Sequence, residues 1–321
     1  MLDTKRKNTN KSKKKTVKNK QHLEPVIRDL KKLLTNDPIV RMYFTLMIKQ
    51  VPKNKKWNEF RLKNIDDLLK KLNRVLTVAP DYNETKLVGT PMSAIIYQVM
   101  GTPAGLAAFR MKRVNKQFQK ILKKWSDFLN SPKSRYVLNK GPNGWFGKRA
   151  SKKFNIDEYI HDKSKKYYGF KSWNDFFVRK FVPGARPIAE PYNNKAIVAP
   201  CDFTIYKIQK SVKKYDSFWV KEQPYSLMDM LDNDTKYVDM FVGGSIFQAF
   251  LNPFNYHRWS SPIAGTIIKA HVIPGLYFSE HSPIQGFEHR KVWKWIDEGI
   301  DPNDQDASEG YITTNQTRAA I

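Results

Sequence analysis

Cysteine is almost absent from this chain. Its 321 residues include one, Cys201, which excludes an intrachain disulfide framework and any zinc site built on a cysteine cluster. The histidines show no ligand spacing supported by paired acids, so no metal is predicted. The basic N-terminus also lacks the apolar core of a signal peptide. These absences predict a cytoplasmic protein, with a nuclear address in Lys13-Lys14-Lys15 as the alternative.

Acidic residues are scarce in the first half. Residues 1–180 hold 43 Lys and Arg against 14 Asp and Glu, whereas residues 181–321 hold 14 against 16. Such a surface attracts polyanions, by about 1 kcal/mol per basic residue near an anionic bilayer or through counterion release on nucleic acid. Lysines on solvated helix faces would give the same composition. No nucleic-acid motif is recognised, so peripheral contact with an anionic membrane is the favoured expectation.

Only one uncharged run, the 23 residues 87–109, is long enough to cross a membrane. Proline, glycine and polar residues interrupt this run. The residues 94–97 and 104–109 are better explained as parts of two buried helices around a Gly-Thr-Pro turn. We therefore predict no membrane span here.

Apolar periodicity predicts an α+β fold. Residues 1–20, with nine basic residues and one acid, are predicted to be a disordered basic arm. Helical spacing of apolar residues then indicates a helical region over 21–175, and a β-rich domain is expected over 176–321. The predicted helices include 23–34, 65–75 and 114–129, and the predicted strands are 197–199, 203–206, 246–251 and 266–268.

Six motifs follow one another in the second half. They are Phe176-Phe177-Val178-Arg179 with Arg186-Pro187-Ile188, Ala199-Pro200-Cys201-Asp202, Tyr225-Ser226-Leu227, Tyr256-His257-Arg258-Trp259-Ser260-Ser261-Pro262-Ile263-Ala264-Gly265, Pro274-Gly275-Leu276-Tyr277-Phe278-Ser279 and Asn315-Gln316-Thr317-Arg318. In this order they resemble the phosphatidylserine decarboxylase family, which consists of pyruvoyl-dependent lyases. The first half resembles the helical extension of a soluble subgroup, some of whose members decarboxylate free amino acids such as tryptophan.

The resemblance implies a reaction and a set of site residues. The substrate is phosphatidylserine, as in phosphatidylethanolamine biosynthesis, or a free amino acid. Its α-carboxylate leaves as CO2 through a Schiff base to a pyruvoyl group that family members make from their own serine. Asp202 would belong to the self-processing triad, and His257 would protonate or position the substrate. Tyr225, Tyr256 and Phe278 would bind it.

Two positions depart from the family pattern. Position 260, where the family has the histidine credited with activating serine, is occupied by Ser260, which has no titratable group near neutral pH. The family's Leu-Gly-Ser motif is expected beyond Ile321, so the pyruvoyl serine is absent from this chain. The domain is accordingly expected to lack its last strands unless a C-terminal chain completes it. A fragment, a decayed copy and a pseudoenzyme that binds anionic lipid or nucleic acid all remain open.

Each motif residue also has a structural interpretation. Asp202 could hydrogen-bond backbone in a turn after Pro200. A histidine beside Arg258 and Trp259 is more often structural than catalytic. The order of the motifs outweighs both interpretations and favours a functional role for Asp202 and His257.

Overall fold

The computed structural model describes residues 22–51, 61–83, 90–215, 226–279 and 313–321. The predicted basic arm and Tyr225 lie outside these residues. Helices fill the first part, and short strands with two further small helices follow, so the predicted α+β class is confirmed. The α-helices are α1 Pro25–Asn36, α2 Pro38–Gln50, α3 Ile65–Val75, α4 Pro91–Met100, α5 Pro103–Arg110, α6 Lys112–Leu129, α7 Trp173–Phe177, α8 Leu227–Met230 and α9 Thr235–Phe241. Short 3-10 helices cover Pro132–Val137, Ala150–Lys152, Ile156–Glu158 and Lys166–Gly169.

Local sequence signals explain where the long helices begin. Proline opens α1, α2, α4 and α5, where its missing N–H would have no helical partner. The Asp37 carboxylate caps α2 by accepting from the amides of Ile39 at 3.1 Å and Val40 at 3.0 Å. The Thr102 hydroxyl caps α5 by accepting from the Gly105 amide at 3.0 Å.

The uncharged run near residue 100 forms two buried helices, as predicted. α4 and α5 are separated by a short turn and differ in direction by 118°. By length and composition the bent pair could cross a membrane, but no single helix in the described part of the chain is long and apolar enough to do so.

In the part of the chain that the structure describes, the strands pair into two small antiparallel sheets. β1 Thr204–Lys210 pairs with β2 Ser245–Phe250, and β3 His271–Ile273 pairs with β4 Arg318–Ala320. The predictions of strands over 197–199 and 266–268 are wrong. The Val198 amide donates to the Pro262 carbonyl at 2.9 Å, but proline has no N–H with which to continue a ladder.

Among the described residues, buried apolar side chains form three clusters. The first lies among α1 to α6 and also contains Phe278. The second surrounds the buried Trp145, whose indole N–H donates to the Pro80 carbonyl at 2.8 Å, and it includes Phe176 from α7. The third is small and packs α8 and α9 against Val212. Because Phe254 packs against the second cluster, the helical and β-rich parts share buried contacts across the predicted boundary at 176.

Candidate active site

Two of the sequence motifs meet around His257. The Phe177 ring stacks on the imidazole with ring centres 4.0 Å apart and planes at 24°. The Arg179 guanidinium donates to the carbonyl oxygens of Phe254 at 2.9 Å and Asn255 at 3.3 Å. In return, Arg258 Nε donates to the Val178 carbonyl at 2.7 Å. The motif at 176–179 therefore supports the loop that carries His257.

A third motif joins the same group through backbone contacts. The Ser260 amide donates to the Pro200 carbonyl at 2.8 Å, next to the Val198 to Pro262 bond. These contacts place the segment that carries Asp202 alongside the segment that carries Ser260. Both residues are at least partly accessible to solvent. The predicted roles of Asp202 and Ser260 remain predictions.

His257 is held in one orientation, and its surroundings favour the neutral imidazole. Its Nε2 lies 3.1 Å from the Asn252 carbonyl oxygen, which can only accept, so Nε2 carries the proton. Burial and the nearby Arg179 charge lower the pKa of His257 below its ordinary value of 6.5, against the opposing effect of the Pro253 and Asn252 carbonyls. The ring is therefore neutral at pH 7, and Nδ1 carries the lone pair.

Asp202 acts on this region through its charge. Burial raises the pKa of Tyr159, Arg179 opposes that change, and the Asp202 carboxylate adds to it. Burial lowers the pKa of Arg179, whereas Tyr159 and Asp202 act in the opposite direction. Burial and the Asp202 charge also raise the pKa of the Cys201 thiol. The Asp202 carboxylate thus interacts electrostatically with the buried Arg179 guanidinium.

Tyr256 forms the aromatic flank of the site. Its ring centre lies 4.0 Å from that of Phe181 and 6.3 Å from that of Tyr159. Tyr159 and Phe181 stack with ring centres 4.8 Å apart. The predicted substrate contact of Tyr256 remains a prediction, and this packing shows what holds its ring in place.

The remaining motifs form a second group. The Ser226 hydroxyl caps α8 by accepting from the Asp229 amide at 3.3 Å. Arg318 binds the carbonyls of Asp229 and Met230 at the other end of α8. The Gly275 amide donates to the Thr317 hydroxyl at 3.1 Å, so the segments 274–279 and 315–318 pack together.

The Phe278 side chain packs into the helical core, although its backbone belongs to the second group. It is 7% exposed, and its ring centre lies 5.5 Å from that of Phe118 and 6.4 Å from that of Phe109. These contacts account for its burial. Its predicted contact with substrate remains a prediction.

Comparison with known proteins extends the motif evidence to most of the chain. Two models described as phosphatidylserine decarboxylase match residues 24–154 and 173–298, which together exceed half of the chain. The chain belongs to the phosphatidylserine decarboxylase family. This family consists of carboxy-lyases and is generally pyruvoyl-dependent, in agreement with the sequence-based expectation.

Named relatives in the family match different fractions of this chain. The L-tryptophan decarboxylase of Psilocybe cubensis is 34% identical over 270 residues, covering 79% of this chain and 59% of the relative. The decarboxylase iboD of Amanita muscaria is 36% identical over 199 residues, or 60% and 57%. The phosphatidylserine decarboxylase proenzyme 3 of Schizosaccharomyces pombe is 37% identical over 111 residues, or 35% and 11%. This chain therefore spans less than three fifths of the length of these relatives.

The residues around His257 fit a pyruvoyl-dependent family member in part. A neutral imidazole with a lone pair on Nδ1 and a carboxylate in the same group of segments are suitable proton acceptors beside an electrophilic ketone. Sequence reasoning did not identify Tyr159 or assign a role to Arg179. The signal for Arg179 was its place in the first motif, but nothing in the sequence indicated that the distant Tyr159 would contact it.

Proposed function

We propose that this chain is part of a pyruvoyl-type decarboxylase that removes the α-carboxylate of an amino acid substrate as CO2. The main support for this proposal is His257, a half-buried neutral imidazole fixed by Phe177 and Asn252 within the family's own motifs. The alternatives of fragment, decayed copy and pseudoenzyme are decided by the experiments below.

The protein's own groups have limited, definable tasks in such a reaction. A pyruvoyl ketone would supply the electron sink that accepts the electron pair released as CO2 leaves. His257 would hold or move a proton at the substrate α-carbon through Nδ1, since Nε2 is bound to Asn252. Asp202 would serve the self-processing step, and Tyr256 would position substrate, as the family resemblance implies. Tyr225 and Phe278 complete the proposed binding set.

A free amino acid is the favoured substrate. The relatives named L-tryptophan decarboxylase align over 270 residues and cover 79% of this chain. Those named phosphatidylserine decarboxylase proenzyme match 111 to 125 residues. Phosphatidylserine is the competing substrate, and the assay must contain both.

The test is CO2 release by the protein purified from its native source, together with its intact mass. We expect carboxyl-labelled L-tryptophan to release labelled CO2, while the same amino acid labelled in its ring releases none. Carboxyl-labelled phosphatidylserine in vesicles is assayed in parallel. The variant His257→Ala should lower kcat by about 100-fold or more, as loss of a general acid or base does.

The mass determines how a negative result is interpreted. A protein whose mass shows a pyruvoyl group but which decarboxylates neither substrate would contradict the proposed substrates. A single species without that group and without CO2 release would contradict decarboxylation and leave the pseudoenzyme interpretation.

A second candidate function rests on the exposed face of α6. Lys112, Lys116, Lys120 and Lys123 are exposed at spacings of three or four residues. None forms an ion pair within the described residues, whereas Arg113 pairs with Asp37 just before α2 and Lys124 pairs with Glu24 just before α1. A stripe of exposed lysines suits an anionic membrane surface. We propose peripheral membrane contact of a cytoplasmic protein through this stripe.

Flotation with phosphatidylserine vesicles tests the stripe. The double variant Lys116→Glu/Lys120→Glu should lose salt-sensitive binding, while Lys133→Glu/Lys140→Glu, which changes exposed lysines outside α6, should keep most of it. Phosphatidylcholine vesicles should bind neither protein. Equal loss in both variants would contradict a localised stripe, and tighter binding to duplex DNA than to vesicles would favour nucleic acid.

A further inference from the structure

Arg179 is a buried cation with an unusual set of contacts. Its residue surface is 3% exposed. Nη2 donates to the carbonyls of Phe254 and Asn255, and Nη1 lies 3.4 Å from the Phe176 carbonyl. Because the guanidinium is planar with several fixed donors, it can bind carbonyls on two segments at once, which a lysine ammonium does with much less directional control. The carbonyls bound by Nη2 belong to the residues two and three positions before His257.

Aromatic rings enclose the same cation. The guanidinium carbon lies 4.3 Å from the ring centre of Tyr159, 4.9 Å from that of Phe154 and 5.0 Å from that of Phe176. A charge removed from water requires such compensation from rings, carbonyls and opposite charge. The Asp202 carboxylate supplies part of the opposite charge. This set of contacts holds Arg179 in place while it binds the loop.

We propose that Arg179 is the positioning residue of this site, fixing the Phe254–Asn255 backbone and thereby the His257 ring against Phe177. The catalytic meaning of this inference rests on the proposed function, but its geometry does not. A substitution at Arg179 should therefore move His257 even in a protein that performs no turnover.

The experiment is an NMR titration of the full chain labelled at its histidine rings. Arg179→Met removes the charge and the donors, whereas Arg179→Lys keeps a positive charge but loses the forked geometry. The matched control is Arg186→Met, because Arg186 is also an arginine over an aromatic ring, at 5.1 Å from Phe181, but is exposed. His271, on β3, reports whether the rest of the chain stays folded.

We expect both Arg179 variants to shift the His257 ring signals. In Arg179→Met the pKa of His257 should also rise toward its ordinary value, because the neighbouring positive charge is gone. In Arg179→Lys the signals should shift while the pKa stays low. Arg186→Met should change neither property, and the His271 signals should stay native throughout.

Unchanged His257 signals in a folded Arg179→Met protein would overturn the inference. If that variant does not fold, Arg179→Lys decides: shifted His257 signals with native His271 signals support positioning, and unchanged signals overturn it. CO2 release is measured separately. If the wild type releases no CO2, the proposed decarboxylation is contradicted, but the NMR result still stands. If a folded Arg179→Met protein turns over normally, the positioning of His257 by Arg179 is not needed for catalysis.

Discussion

The imidazole of His257 is buried on one face by a ring and bound at one nitrogen by a carbonyl. Stacking with Phe177 removes water from the ring, and the Arg179 charge disfavours a second positive charge nearby. Both effects favour the neutral form. The Phe177 contact that orients the ring therefore also favours its neutral form.

This coupling predicts a pH dependence of stability. The folded-state pKa of His257 lies below its unfolded value near 6.5, so its contribution is fully present above that value and is lost as pH falls through the folded pKa. His257→Gln removes the titrating group. The Tm advantage of wild type over the variant should therefore shrink between pH 7.5 and pH 5 in thermal melts followed by circular dichroism.

A second variant checks the physical cause. Phe177→Leu exposes the ring, so the pKa of His257 should rise and the pH dependence should weaken. A Tm difference between wild type and His257→Gln that is constant across this pH range would contradict a lowered pKa.

At this scale, motif order indicated which residues to examine but not what holds them. It drew attention to Asp202, Tyr256 and His257, two of which lie on the segment supported by the first motif. The partners of Arg179 were not predictable, because Tyr159 lies in a loop whose aromatic residues show no periodic pattern. Contacts made by side chains from irregular segments depend on the whole fold.

Among the elements, α6 connects the helical part to the last motifs. The Asn115 side chain donates to the Gly275 carbonyl at 3.0 Å and accepts from the Tyr277 amide at 3.0 Å. Gln119 donates to the Tyr277 hydroxyl at 2.7 Å, and Phe278 packs into the helical core. One helix thus binds the segment 274–279 by backbone, side chain and apolar contact.

The two amides of α6 should differ in their effect on stability. Asn115→Leu leaves a partly buried carbonyl and amide without their partner, which should cost about 1–3 kcal/mol. Gln119→Leu loses one exposed bond and should cost about 1 kcal/mol or less. The free energy of unfolding in urea measures both. Equal costs would show that the double contact of Asn115 has no special weight.

The helices were more predictable than the strands for a physical reason. α1, α3 and α6 carry strong one-sided apolar stripes, and their observed bounds lie within a few residues of the predicted ones. α2 was not predicted, because Met42 and Leu46 are exposed while Phe44 and Met47 are buried, which obscures the period. β3 pairs with β4 more than 40 residues later, and such distant pairing leaves no local pattern.

For the whole molecule, apolar exposure is concentrated in the β-rich part. The cross-strand partners Ile208 on β1 and Phe247 on β2 are 54% and 51% exposed. Within the described residues each strand of this sheet pairs on one edge only. A two-stranded sheet with exposed apolar side chains favours association with other strands, whether in the C-terminal chain that the sequence resemblance leads us to expect or in another copy.

Reducing that exposure should improve the behaviour of this chain in solution. Ile208→Thr/Phe247→Thr places a β-branched residue, which suits a strand, at each position and removes apolar area. Self-association measured by sedimentation velocity should decrease, together with fluorescence of a hydrophobic dye. Ile160→Thr, at an exposed position in the helical part, is the control. If Ile160→Thr reduced self-association and the double variant did not, the association surface would lie outside this sheet.

The packing of Phe278 against α5 and α6 also has a consequence for synthesis of the chain. Asn115 and Gly275 are 160 residues apart, so the helical core lacks part of its packing until that later segment has been made. At about 5–20 residues per second, translation takes roughly 8–30 s to cover this distance. During that interval Phe109 and Phe118 lack their later partner. The nascent helical region should therefore bind chaperones on the ribosome. The chaperones should release it only when the Gly275–Phe278 segment emerges from the ribosome.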